Sequence, residues 1–206
     1  DSMTWLHLAR AQMKCGQPAA AERSGARAFE LDRANALACR LVAELQAQQH
    51  RFDVAVATFA ALDSDAPRDH DLLAAQGNAL FMARRPREAI DIFFLALAQR
   101  IDSPLLHYRM GLAFKDLNLA REASECFRTA ISLDRGSVRA LALSLLVHES
   151  RQACDWAHLE SDSTALLDAL ERSDDATGQL LSPFAQLAID STPAQQRRVG
   201  ALRTQG

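Results

Sequence analysis

The feature that most limits what this chain can become is a recurrence at 34 residues, kept without insertion or deletion. The clearest copy runs from Pro104 to Ser137. Leu106, Met110, Ala113, Phe114 and Leu117 recur there at helical spacing, and Ala123, Phe127, Ala130 and Ile131 form a second stripe beyond Asn118. Asn118 falls where the chain must turn. Gly111 and Ala123 are small enough to let two backbones approach, with Phe127 filling the space beside them. One shift back turns Gly111, Ala123, Phe127 and Ala130 into Gly77, Ala89, Phe93 and Ala96. A second gives Ala43, Ala55, Phe59 and Leu62, and a third gives Ala9, Ala21, Gly25 and Ala28. An Ala-rich helical bundle has no reason to hold one period over four units. The pattern predicts an all-α solenoid of antiparallel helix pairs, each contacting mainly its neighbours. The repeats are 2–35, 36–69, 70–103 and 104–137, followed by a degenerate fifth repeat and helical connector over 138–206.

End signals agree with this division. Ser103-Pro104 reads as a helix start, Ser as the cap and Pro at the first helical position. Gly136 reads as a stop. Asp32, Asp63 and Asp134 end or follow second helices and are expected to serve turns. Trp5, Leu8, Gly16, Ala21, Ala28 and Leu31-Asp32 in the first unit resemble the tetratricopeptide (TPR) repeat. So do Met110-Gly111, Phe114, Ala123, Phe127, Ala130 and Leu133-Asp134 in the fourth. The resemblance implies a scaffold that binds proteins or peptides along a concave wall made by its first helices.

Composition narrows the function from the other side. The chain is 49% hydrophobic and 24% charged, the balance of a globular protein. Its net charge of -3 and the lack of a basic run argue against nucleic acid as a partner. No apolar run is long enough to span a bilayer, so no membrane role is expected. Cys15, Cys39, Cys126 and Cys154 are far apart and form no Cys-x-x-Cys pair, which predicts free thiols and a reducing, cytoplasmic compartment. The six histidines are equally scattered. There is no phosphate-binding loop, nucleophile elbow or paired-carboxylate motif. The expectation is a chain with no catalytic residues, metal or cofactor of its own.

Beyond Ser137, which can cap a fifth first helix, the period begins to fail. Position 145 should be small and is Leu145. A further helix is expected from Asp155 or Trp156 to Glu171, and a last one from Thr192-Pro193 to Arg203. Ala153-Cys154-Asp155-Trp156, then Leu181-Ser182-Pro183-Phe184, then Asp190-Ser191-Thr192-Pro193-Ala194-Gln195-Gln196 follow the array in that order. This order resembles the segment that joins TPR repeats to the catalytic domain in bacterial O-GlcNAc transferase-like proteins, the SPINDLY-like glycosyltransferase family 41. The resemblance covers repeats and connector together. It implies the non-catalytic region of a transferase that moves a sugar from a nucleotide sugar to Ser or Thr of proteins. The family's catalytic residues would lie beyond Gly206. The animal enzymes carry an Asn ladder in the groove, and here His7, Leu41, Ala75 and Arg109 stand in those places. The alternative is a free-standing TPR adaptor with no enzyme attached.

The register also names the groove. Residues of first helices that do not pack on second helices are Arg10, Arg40, Glu44, Asp71, Asn78, Phe81, Tyr108, Arg109 and Lys115, with Leu6, Met13, Ala47, Ala74, Leu105 and Leu112 between them. Asn78 can hold a peptide amide and Arg109 a carboxylate. Finally, the apolar surface around Trp5, Leu8 and Ala28 at the first repeat predicts a homodimer through repeat faces.

Overall fold

The computed structural model describes residues 1–134, 136–172 and 191–197. These residues are helical and otherwise turns and short connections. The chain divides into two compact units, Asp1–Ile101 and Asp102–Gly206. The expected elements at Ser182-Pro183-Phe184 and beyond Arg197 lie outside the described residues.

The first unit holds three helix hairpins: α1 (Ser2–Lys14) with α2 (Pro18–Leu31), α3 (Ala36–Gln48) with α4 (Phe52–Ala60), and α5 (His70–Met82) with α6 (Pro86–Gln99). Helix α2 packs on α3 and α4 on α5, while α3 also touches α5. The second unit holds α7 (Pro104–Asp116) with α8 (Ala120–Leu133), then α9 (Ser137–Gln152) with α10 (Leu159–Arg172). A short helical turn spans 193–197.

Every hairpin turns in the same way. Gly16, His50, Arg84 and Asn118 have positive φ and stand 34 residues apart. At each, the left-handed residue donates to the carbonyl three residues back, and its successor donates to the carbonyl five back, as in Gly16 N to Met13 O (3.0 Å) and Gln17 N to Gln12 O (2.9 Å). This is the Schellman closure, which satisfies helix carbonyls that would otherwise be orphaned. A second bond recurs between the start of a first helix and the end of its second. Ser2 Oγ donates to Ala28 O at 2.9 Å, and His70 Nδ1 lies 3.0 Å from Ala96 O at the equivalent place.

The core is the small/aromatic pattern made solid. Ala21, Ala55, Ala89 and Ala123 are fully buried, as are Phe93 and Phe127. The room around Gly111 is taken by Phe127: a Cβ there would stand 2.6 Å from Phe127 Cε1. Gly77 meets Phe93 in the same way, at 2.5 Å. The ring of the second helix, more than the alanine beside it, is what excludes a side chain at these two positions. In the first repeat the roles are exchanged. Gly25 stands in the Phe position, and a Cβ there would meet Val42 Cγ2 at 2.9 Å.

Several end signals act differently from the sequence expectation. Ser103 is the N-cap of α7 but its side chain makes no capping bond. Gly136 does not stop α8. That helix ends at Leu133 with Asp134 extended, and Gly136 is instead the N-cap of α9, so Ser137 is its first residue rather than its cap. Asp134 Oδ2 accepts from Arg139 N at 3.1 Å, and Asp32 Oδ1 from Ala34 N at 3.1 Å, so these aspartates do serve the turns. The connector helix starts at Leu159 rather than Asp155 or Trp156, because 155–158 is used by the turn.

Candidate functional site

The face of the first helices turned away from the second helices is set by the repeat. In unit one, the ninth position of each repeat presents Arg10, Glu44 and Asn78 on α1, α3 and α5, and the twelfth presents Met13, Ala47 and Phe81. Arg10 and Glu44 are exposed, and Asn78 and Phe81 half-buried. Arg40, Glu44 and Asp71 come together. Arg40 Nη1 is 3.4 Å from Asp71 Oδ2 across α3 and α5, and its Nε is 3.8 Å from Glu44 Oε1. Asp71 Oδ1 is 3.4 Å from Arg100 Nη2, just past α6. Two guanidinium groups and two carboxylates thus balance in charge. Exposed pairs of this kind add little stability, so their side chains can exchange partners at small cost.

The register misplaced one residue and missed two. Leu6 is fully buried in the core of unit one and cannot line a groove. Met3 and Leu37, by contrast, are 47% and 39% exposed. They precede Asp71 by two and one repeats, so shifting Asp71 back by 34 residues would have found them.

In unit two, α7 carries Tyr108, Arg109 and Lys115, all half-buried. The Tyr108 ring lies 5.9 Å from that of Phe127 and packs at the edge of the core, where burial pushes its hydroxyl up. Leu105 on the same helix is 44% exposed. Lys115 lies near the buried Glu149 of α9, whose carboxyl burial raises, with His148 and Lys115 pulling the other way.

Burial pushes the Cys39 thiol up to about 11 and that of Cys126 up to about 12, so neither is a ready nucleophile. Cys15 and Cys154 are exposed. Among the described residues no three His, Cys, Asp or Glu are placed to hold a metal, and no helix is long and apolar enough to cross a membrane.

Comparison with known proteins agrees with the fold. Residues 105–137 match the tetratricopeptide repeat family model. None of the curated proteins matches the chain. The crystal structure of YrrB, a TPR protein with an unusual peptide-binding site, is similar at TM-score 0.72 and 16% identity, over 84% of this chain and 88% of that one. MamA from Desulfovibrio magneticus RS-1 is similar at TM-score 0.74 and 14% identity, over 84% and 97%. A tetratricopeptide repeat protein from Parabacteroides merdae is similar at TM-score 0.74 and 13% identity, over 98% and 79%. The chain therefore has the fold of a TPR solenoid and carries a recognisable TPR repeat in its fourth unit.

Proposed function

We propose that this chain is a protein-binding scaffold and that the first-helix face of unit one holds a peptide segment of its partner. The observation that carries this reading is that Met3 and Leu37, at the second position of their repeats, and Phe81, at the twelfth, are left partly open on the helices that carry Arg10, Arg40, Glu44, Asp71 and Asn78. Apolar side chains of a peptide would lie on the former. Its charged groups would exchange into the Arg40–Asp71 pairs, and its backbone amide would reach Asn78. The peptide-binding site named for YrrB, a chain of the same fold, supports the reading. We assign Tyr108, Arg109 and Lys115 to a contact surface of the same kind on unit two. No cofactor is required, and we place the protein in the cytoplasm on the strength of its free thiols.

As to the whole protein, we propose the non-catalytic arm of an O-GlcNAc transferase-like glycosyltransferase. That assignment rests on the sequence order of array, Cys154-Asp155-Trp156 and connector; the structural likenesses speak for a repeat scaffold only. A free-standing adaptor is the second reading, supported by the likeness to MamA over 84% of this chain and 97% of that one. The length of the natural reading frame separates them, since a nucleotide-sugar fold following the array is required by the first and excluded by the second.

Binding itself is tested with a displayed peptide library selected on this chain. Phe81→Ser and Asp71→Ala should weaken a selected peptide about tenfold or more, a loss typical of contact residues at a small interface. Leu95→Ser, exposed on α6, should leave it unchanged. Equal loss from all three, or loss from Leu95→Ser alone, would reject the face.

A further inference from the structure

The dimer contact expected around Trp5, Leu8 and Ala28 does not make one surface, because Ala28 is fully buried. The outward side of the second helices offers a different one. Arg23, Arg27 and Glu30 stand there on α2, and Glu125, Thr129 and Ser132 on α8, all polar, as a helix facing water requires. At the same positions α4 presents Ala57 and Ala61, and α6 presents Asp91, Leu95 and Ala98. These places are exposed in all four repeats, so the array itself does not cover them. Ala60 and Phe94, also one repeat apart, are exposed beside them. Phe94 is 53% and Leu95 54% exposed, whereas Phe93 of the same helix is fully buried. Helix α5 packs on both α4 and α6, which therefore flank it. The result is an apolar strip on unit one, large on α6 and small on α4.

We propose that this strip is the contact between two copies of the chain, with α6 of each lying on α4 of the other. A two-fold axis running along the helices, between α4 and α6, makes this exchange and leaves the helices parallel. Residues at one height then meet, and those are repeat equivalents, 34 apart in sequence. Phe94 lies on the partner's Ala60 and Leu95 on the partner's Ala61, so large side chains enter a surface of small ones, twice over. An axis across the helices would instead lay α6 on α6 and α4 on α4, large on large and small on small. Charge agrees with the parallel choice. Arg85 is taken up by Glu88 of its own helix at 2.6 Å, and the exposed Arg87 comes opposite the partner's Asp53 in the first turn of α4. Asp91 stands between Arg87 and the apolar pair, so its carboxylate stays at the polar end of the contact. The inference is independent of the peptide-binding face, which belongs to the first helices.

Sedimentation equilibrium of the full chain from about 1 to about 200 µM should show a mass moving from one chain to two by mass action. Leu95→Glu should raise the dissociation constant about a hundredfold or more, since it places a carboxylate on the partner's alanines at two symmetric points. Its circular dichroism should stay unchanged, because Leu95 is exposed in the single chain. Arg87→Glu should weaken the dimer about fivefold or more by setting two acids against each other, and Asp53→Arg added to it should restore the loss. A single-chain mass at the highest concentration, or a dimer indifferent to Leu95→Glu, would overturn the proposal. So would a ladder of larger species, which indicates head-to-tail stacking, or a dimer that the exchanged charges fail to restore.

Discussion

At the scale of single residues, two kinds of position hold the repeat together, and they answer to different physics. Gly77 and Gly111 have ordinary helical backbones but no room for a side chain, because Phe93 and Phe127 stand 2.5 Å and 2.6 Å from where a Cβ would be. Helix propensity alone would make Gly111→Ala stabilising by about 1 kcal/mol. We expect a net loss instead, with overpacking costing about 1–3 kcal/mol. Urea unfolding of the single variant and of Gly111→Ala with Phe127→Leu checks this: the second change should return part of the loss. The turn residues are the other kind. Cys154 sits at φ 54, a left-handed conformation that is costly for any residue with a Cβ. Cys154→Gly should stabilise unit two by about 0.5–1 kcal/mol, the relieved strain outweighing the added freedom of the unfolded chain. A lower urea midpoint would contradict it. Of these turns the residue type betrays only Gly16 and Asn118. His50 and Arg84 are found by the period, and Cys154 by neither, since it follows Asn118 by 36 residues.

At the scale of elements, the four copies were legible because each needs the same small/aromatic contact, and the fifth was not because its first helix and its turn are longer. Helix α9 has 16 residues where α7 has 13. Its turn occupies 153–158. These additions displace α10, so its eighth residue Leu166, 1% exposed, stands where Phe127 stands in α8, and Ala169 stands where Ala130 does. A fixed period points instead to Ser161 and Thr164, which are exposed. Capping was misread at Gly136 for a related reason: glycine type suggested a left-handed stop, but its φ is -101 and it opens the next helix. The register is tested on α8. Ala123 is fully buried and Thr129 is exposed on the same helix. Ala123→Arg should cost several kcal/mol, about 1–3 from overpacking and more from a buried charge. Thr129→Arg should stay within about 0.5 kcal/mol. Equal effects on the denaturant midpoint would mean that the helix is rotated. Helix α9 carries a pH signature as well. Burial raises the Glu149 carboxyl above its ordinary 4.5, while His148, 3.8 Å away, and Lys115 pull it down. A carboxyl raised by folding favours the folded state when protonated, so this contribution is present at low pH and lost as pH rises through the raised value. Glu149→Gln should therefore become more stable relative to the parent as pH goes from 4.5 to neutrality. A constant difference between the two chains would contradict it.

At the scale of the whole molecule, the chain is two compact helical units that share one repeat pattern, and its sequence resolves what kind of molecule it is better than what it meets. Which first-helix residues stay at least partly open was legible by counting except at Leu6, Met3 and Leu37. Which of them pair with each other was not legible, since Arg40 reaching Asp71 depends on how α3 and α5 come side by side past α4. Leu6 was misplaced because its side chain joins the core with Phe29 and Cys39, whereas Arg40, Ala74 and Tyr108 at the same position of later repeats are half-buried. We propose that recognition belongs to the first helices. Hydrogen exchange read by mass spectrometry on the chain with a library-selected peptide, against the chain alone, tests it directly. Exchange is expected to slow in α1, α3 and α5 around Arg10, Arg40 and Asn78, with α2, α4 and α6 unchanged. Protection confined to the second helices, or spread evenly over both sets, would contradict it.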